Sequence, residues 1–485
     1  MAARFTAFAV VGIVVATLIA GLIVGAQRDD SDGPVDLIVH NAIVFTGDTS
    51  GKMAEAVAVR ANQILKVGSN REIMRMRRPQ TVTIDAKGGA VLPGFNDAHL
   101  HLVEGGLALE GMDLTGVATV EEAVERVRVW AEGHPDAGWV EGRGWTTFEA
   151  EEHASRQALD AALDDRPVYL LSEDGTTAWV NSRALQLAHV TRRTPDPTDG
   201  HIVKDVKGEP TGVLEGSAAT IVSALLPKAD RDTRMRAILA ALAEAKRNGI
   251  TSIQVAGLEP AEIELLDTAR RGGRLETRVY AALAVRPPRV DADIVKLDPG
   301  RYPDDPMLKS GVADVDAAAS DGDGLNRLVR LLDARGWQVS IHQSSMEERI
   351  RSATALSHAM RSNPARQLER RHRVQIHADQ LDQVGTRYVV GSDWPYGPLS
   401  PARVLASIPE EMLLKEAIVG YTAAGAYASH DEQRKGMLKP GMLADIVVLS
   451  KDIFKMERRA LSSVAVVYTI FDGRVVFPEA RQSSN

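Results

Sequence analysis

The chain has 485 residues, 44% of them apolar and 25% charged, with a formal net charge of −8 at pH 7. That is long enough to bury a large core in more than one structural unit, and the acidic balance without a basic stripe argues against a nucleic-acid partner. The absence of cysteine excludes disulfides, a thiolate nucleophile and any cysteine-ligated metal.

In chain order, residues 5–26 form an apolar run between Arg4 and Gln27-Arg28-Asp29-Asp30. The run is long enough to cross a bilayer as a helix, and the flanking charges predict an extracytoplasmic main domain. Val24-Gly25-Ala26 also fits a small-residue cleavage site, so 1–27 reads either as a transmembrane anchor or as the signal of a secreted protein. A polar linker, 28–34, follows. Strand-like runs come next at 35–39, 42–45, 56–59, 64–68 and 81–85, and again near the other end at 444–449 and 464–470. Asp472-Gly473 then marks a hairpin turn. Strands at both ends predict a small β-sandwich domain assembled from 35–88 and 434–480.

The middle, 89–433, alternates helix-spaced segments with short apolar strands at 167–171, 250–253, 278–283, 338–341 and 388–393. This repetition predicts an α/β fold with a (β/α)8-type, TIM-like barrel. Its first strand is the most informative stretch: Leu92-Pro93-Gly94-Phe95-Asn96-Asp97-Ala98-His99-Leu100-His101. Strand side chains alternate, so His99 and His101 project to one side. Two converging neutral imidazoles make half of a zinc-type site. The bland alternative is one packed and one solvated histidine, and the preceding Pro-Gly turn and apolar run favour metal. His101, His342 and Asp393 all fall at the C-terminal ends of their predicted strands, where such barrels carry active sites.

With Gly142-Arg143-Gly144-Trp145, Trp179-Val180-Asn181-Ser182, Gly208-Glu209-Pro210-Thr211-Gly212, Gly249-Ile250-Thr251-Ser252, Gly391-Ser392-Asp393-Trp394-Pro395 and the Gly436 to Asp445 tail, these residues resemble the amidohydrolase superfamily. Within it they resemble the amidohydrolase-3 group of metal-dependent hydrolases, over nearly everything after the linker. The resemblance implies hydrolysis of a non-peptide C–N bond in a small-molecule substrate, by water activated at a divalent metal, zinc before others. It implies His99, His101 and His342 as ligands, and Asp393 as ligand and general base. The competing role for Asp393 is a helix N-cap.

The chain also departs from the family. A lysine-bearing strand is implied before the strand of His342, yet 298–324 offers only Lys309, which reads as a solvated loop lysine, and 312–320 reads as a loop or short helix. That strand is expected to be missing. Gln343-Ser344-Ser345 replaces a small-Gly-Asp sequence, while Thr176 and Val255 replace a histidine and an acidic residue. His377 is one position out of register with the implied fourth histidine. Either it is turned to the other face, or it belongs to a later element and the ligand is deleted. His342 and Asp393 are 51 positions apart, whereas three strand–helix steps need about 60 residues. The barrel is therefore expected to lack one or two strands. The reading that follows is an amidohydrolase holding one metal rather than two. The alternative is a catalytically impaired, membrane-tethered binding protein, or an incomplete gene product. The arginine-rich run 366–373 reads as a solvated helix end, and oligomeric state is not legible.

Overall fold

The computed structural model describes residues 34–479, apart from 49–50, 147–153, 287–304, 319–320, 344, 367–369, 376–380 and 385–386. The apolar run 5–26 and His377 lie outside the described residues. Among the described residues no helix is long and apolar enough to cross a membrane.

The fold is of the α/β type, centred on a curled sheet of eight strands. In chain order these are β1 (Phe95–Leu100), β2 (Ile250–Leu258), β3 (Arg278–Val285), β4 (Leu308–Asp316), β5 (Gln338–His342), β6 (Arg373–Gln375), β7 (Leu381–Val384) and β8 (Arg387–Val390). They are neighbours in that order. From β1 to β6 all pairings are parallel. Helices Arg231–Arg247, Pro260–Arg271, Gly322–Ala334 and Met346–Ser362 connect them. Each helix start is written in the sequence. Asp230 accepts from Thr233 N and Asp321 from Gly324 N, while Ser345 and Glu348 cap each other reciprocally. That capping box accounts for the sequence after His342: it starts a helix.

Two expectations are corrected in this sheet. The stretch around 312–320 is not a loop, because β4 occupies 308–316 between β3 and β5. Its Val312, Ala313 and Val315 are buried, which apolar periodicity alone does not reveal. Lys309 is correspondingly not a solvated loop residue. Its Nζ donates to Ser429 O at 2.9 Å and to Asp431 Oδ1 at 3.1 Å. The second correction concerns strand number. Among the described residues the sheet has eight strands, but β7 runs antiparallel to both β6 and β8. Two residues separate β7 from β8, enough only for an antiparallel partner, since a parallel crossover needs at least about ten.

The sheet curls enough for the residues that follow β8 to reach the end of β1. Asp393 N donates to His99 O at 2.9 Å and His101 N to Trp394 O at 2.7 Å. Gly391 permits this approach, because a Cβ there would lie 2.7 Å from His99 N.

Residues 112–216 build a separate six-stranded sheet between β1 and β2 in sequence, in the order Met112–Asp113, Val140–Trp145, Val168–Ser172, Thr177–Val180, Pro210–Gly216, Gly200–Lys204. The 167–171 run, expected in the barrel, belongs here, with its own core around Leu114, Val127, Leu159, Leu170 and Trp179. The chain ends supply two further sheets, of four strands within 37–85 and of six strands from 43–93 and 446–477. Leu37, Val57, Val59 and Ile84 of the first pack with Val44, Val91, Ile446 and Ile470 of the second. Arg278 at the start of β3 ties them to the curled sheet, donating to Asp445 and to Asp472.

The run 366–373 is likewise not a solvated helix end. Arg366, Arg370 and His372 converge on the carboxylate of Asp333, whose side chain is fully buried. His372 Nδ1 accepts from Val339 N at 3.0 Å, so its Nε2 carries the proton donated to Asp333 Oδ1.

Candidate metal centre

Alternation along β1 sends Asp97 and His99 to one face, and His101, the residue that starts helix Leu102–Ala108, continues the series. Asp393 arrives from just beyond β8 in a left-handed backbone conformation (φ 54°), a costly geometry for a residue with a Cβ. Its Oδ1 lies 3.4 Å from His99 Nε2 and 3.4 Å from His101 Nε2. These separations are too long for good hydrogen bonds. They do match the edge of a coordination tetrahedron, since two ligand atoms about 2.1 Å from a zinc-sized ion lie about 3.4 Å apart. The three residues offer ligand atoms that all fall within 4.8 Å of one another, and no other such group occurs among the described residues. Burial, helped by the charges of His342, His101 and Arg373, pushes His99 well below the ordinary imidazole range, leaving it in the neutral form that binds metals. The donor set therefore fits one divalent ion.

His342, at the end of β5, stands beside this group. Its ring is 4.8 Å from that of His99 and 5.8 Å from that of His101. Its Nε2 faces Asp314 Oδ1 of β4 at 3.1 Å, so the structure sets it against Asp314. His377 falls outside the described residues. Val255 is fully buried and Thr176 is exposed, its Oγ1 donating to Asp174. Asp393 caps no helix: the helix that follows, Pro401–Ser407, begins after Ser400.

Two residues of the site escaped the sequence reading. One is Asp314, which falls in the stretch read as a loop. The other is Asp97, whose signal was the i, i+2, i+4 series through His99 to His101. Asp97 Oδ1 accepts from Ser392 N at 2.9 Å and from His99 N at 3.2 Å, and its Oδ2 from Tyr421 Oη at 3.0 Å. Burial pushes its carboxyl up to about 6 against those hydrogen bonds. Asp97 thus fixes the main chain on both sides of the cluster. Asp97→Ala is expected to weaken metal binding about 10–100-fold, read by competition with a chromophoric chelator; an affinity unchanged within twofold would show that the backbone holds itself.

The family model described as "Amidohydrolase family" matches residues 82–388 and 378–477. The chain belongs to the amidohydrolase family. It is accordingly a hydrolase of a class that acts on C–N bonds other than peptide bonds. The two matched segments of this amidohydrolase overlap at 378–388, the stretch that contains β7. Protein LONG AFTER FAR-RED 3 of Arabidopsis thaliana is 25% identical over 538 aligned positions, covering 91% of this chain and 92% of that protein. The alignment is longer than the chain itself, so that relative carries stretches absent here. N-substituted formamide deformylase of Arthrobacter pascens is 32% identical over 191 residues, 39% of this chain and 35% of that protein. A metal-dependent hydrolase from Pyrococcus furiosus shares the fold, with a TM-score of 0.62 at 20% identity over 86% of this chain and 100% of that one.

Proposed function

We propose that this amidohydrolase hydrolyses a small-molecule amide or formamide with one divalent metal, zinc by donor chemistry, held by His99, His101 and Asp393. The observation that carries the reading is the pair of 3.4 Å separations from Asp393 Oδ1 to the two imidazole Nε2 atoms. Two imidazoles and one carboxylate are a donor set used by catalytic zinc sites, which keep a position open for water or substrate. An ion bound there supplies Lewis acidity, polarising the scissile carbonyl and making water ionise near neutral pH. Asp393 takes the proton from the attacking water and returns it to the departing nitrogen. His342, its Nε2 3.1 Å from Asp314 Oδ1, presents its imidazole at the edge of the cluster, where it can orient the carbonyl. The similarity to a formamide deformylase supports an N-formyl or N-acyl amine as substrate. The reading of an impaired binding protein is not favoured, because the shortened region leaves the three ligands assembled around Asp97.

Purified protein is expected to contain about one zinc per chain, and less than about a tenth of that in His101→Ala. Chelation should abolish turnover of a panel of N-formyl and N-acyl amines, and added zinc should restore it. Full turnover in metal-free protein would overturn the proposal.

A further inference from the structure

Tyr396 touches both His101 of the metal cluster and Arg143, which lines a second recess. Its ring packs edge-on to His101 at 5.3 Å between centroids, and the Arg143 guanidinium lies over the same ring, 5.3 Å from its centroid. Arg143 comes from the inserted sheet, in the Gly142-Arg143-Gly144-Trp145 motif. In a regular strand Arg143 and Trp145 would share a face. The pairing with 168–172 shifts register between them, at Gly144 with φ 97°, where a Cβ would come 2.6 Å from Thr115 Oγ1. The irregularity lets Trp145 enter the core, its Nε1 donating to Leu170 O at 3.0 Å, while Arg143 reaches over Tyr396.

Beside Tyr396 a cavity of about 370 Å³ is lined by Arg143, Asp113, Thr115, Glu173, Trp394 and Arg403, among others, a size that suits part of a small ligand. Its other charges are the carboxylates of Asp113 and Glu173, both of which act on Arg143 through space, and the guanidinium of Arg403. Asp113 Oδ1 accepts from Thr115 N at 2.8 Å, and Glu173 faces Arg403 at 3.9 Å. Arg143 Nη2, by contrast, is buried with no hydrogen-bond partner among the described residues. A buried guanidinium donor without an acceptor costs free energy until one is supplied, and the planar fork matches a carboxylate.

We propose that Arg143 is a specificity-determining residue that binds a carboxylate carried by the substrate, one tyrosine ring away from the scissile C–N bond. The substrate class is then an anionic amide: neutral at the bond that breaks, with its acid group in the recess between the inserted sheet and the 394–403 segment. This rests on the reading of His99, His101 and Asp393 as the hydrolytic centre.

The experiment compares N-formyl-4-aminobenzoate with N-formyl-4-aminobenzamide, in parallel with calorimetric binding of benzoate to metal-stripped protein. The parent is expected to prefer the carboxylate by at least about tenfold in kcat/KM, and to bind benzoate. In Arg143→Gln the preference should fall toward unity and benzoate binding weaken by about tenfold or more, with Arg143→Lys intermediate because it keeps charge without the fork. Near-parental thermal unfolding of Arg143→Lys excludes a folding defect as the cause. Benzoate binding that depends on Arg143 in a protein hydrolysing neither compound would uphold the anion site and sink the N-formyl amine as the substrate of the proposed centre. Hydrolysis of both compounds with no carboxylate preference, or benzoate binding unaltered in both variants, would overturn the proposal.

Discussion

Asp393→Asn is expected to lower kcat by about 10²–10⁴-fold, the range for loss of a positioned general base, while the carboxamide oxygen still offers the cluster a donor atom. The measurement is single-turnover kinetics together with metal content. Retained metal with turnover within tenfold of the parent would remove Asp393 from the proton path. The prediction rests on how expensively the residue is placed. A left-handed backbone at Asp393, a glycine two residues earlier against His99, and the hydrogen bond from Ser392 N to buried Asp97 all serve to aim one carboxylate. Asparagine tolerates the same backbone conformation, so the substitution isolates proton transfer from geometry.

The largest effect on stability is expected from Asp333→Ala, about 3–5 kcal/mol, because it leaves Arg366, Arg370 and His372 half-buried or buried without their anion. Thermal unfolding reads this, and a shift of under about 1 °C would show that the cations find other acceptors. The same carboxylate predicts an acid-labile segment. Burial raises its pKa, but hydrogen bonds from His372 and Asn363 and the charge of Arg366 outweigh burial and hold it well below the usual range. A depressed carboxyl stabilises the fold fully above its ordinary pKa near 4 and loses that contribution as pH falls toward its folded value. The parent should therefore lose stability below about pH 4 more steeply than Asp333→Ala does.

What the sequence disclosed follows from the range of each interaction. Alternation within one strand is local, so the shared face of His99 and His101 was readable, and the strand-end positions of His342 and Asp393 followed from short apolar runs. Asp97 obeyed the same alternation and was legible in principle. β4 was not, because Ala313 is buried by neighbouring strands and, like Gly311 in the same strand, carries little β-propensity of its own. The arginines at 366–373 looked solvated because their partner, Asp333, is more than thirty residues away and only the fold brings it near. The inserted sheet was hidden for another reason: a strand such as 168–172 has the same pattern whichever sheet receives it. The two-residue link after β7 forced an antiparallel strand, a matter of chain length that spacing did reveal as a shortage.

The pairing of the chain's two ends sets an order of events during synthesis. Strand Ala90–Pro93 leads directly into β1, and its neighbour in the sheet is Ile446–Leu449, while Gly94 N donates to Asp445 O. Contacts this distant in sequence form late. On the ribosome, the strand bearing His99 and His101 waits for more than 340 further residues before its anchor exists. A nascent chain arrested before residue 445 would expose an unpaired edge at strand Ala90–Pro93, an aggregation-prone intermediate, so chaperone demand should fall once strand Ile446–Leu449 has emerged and paired.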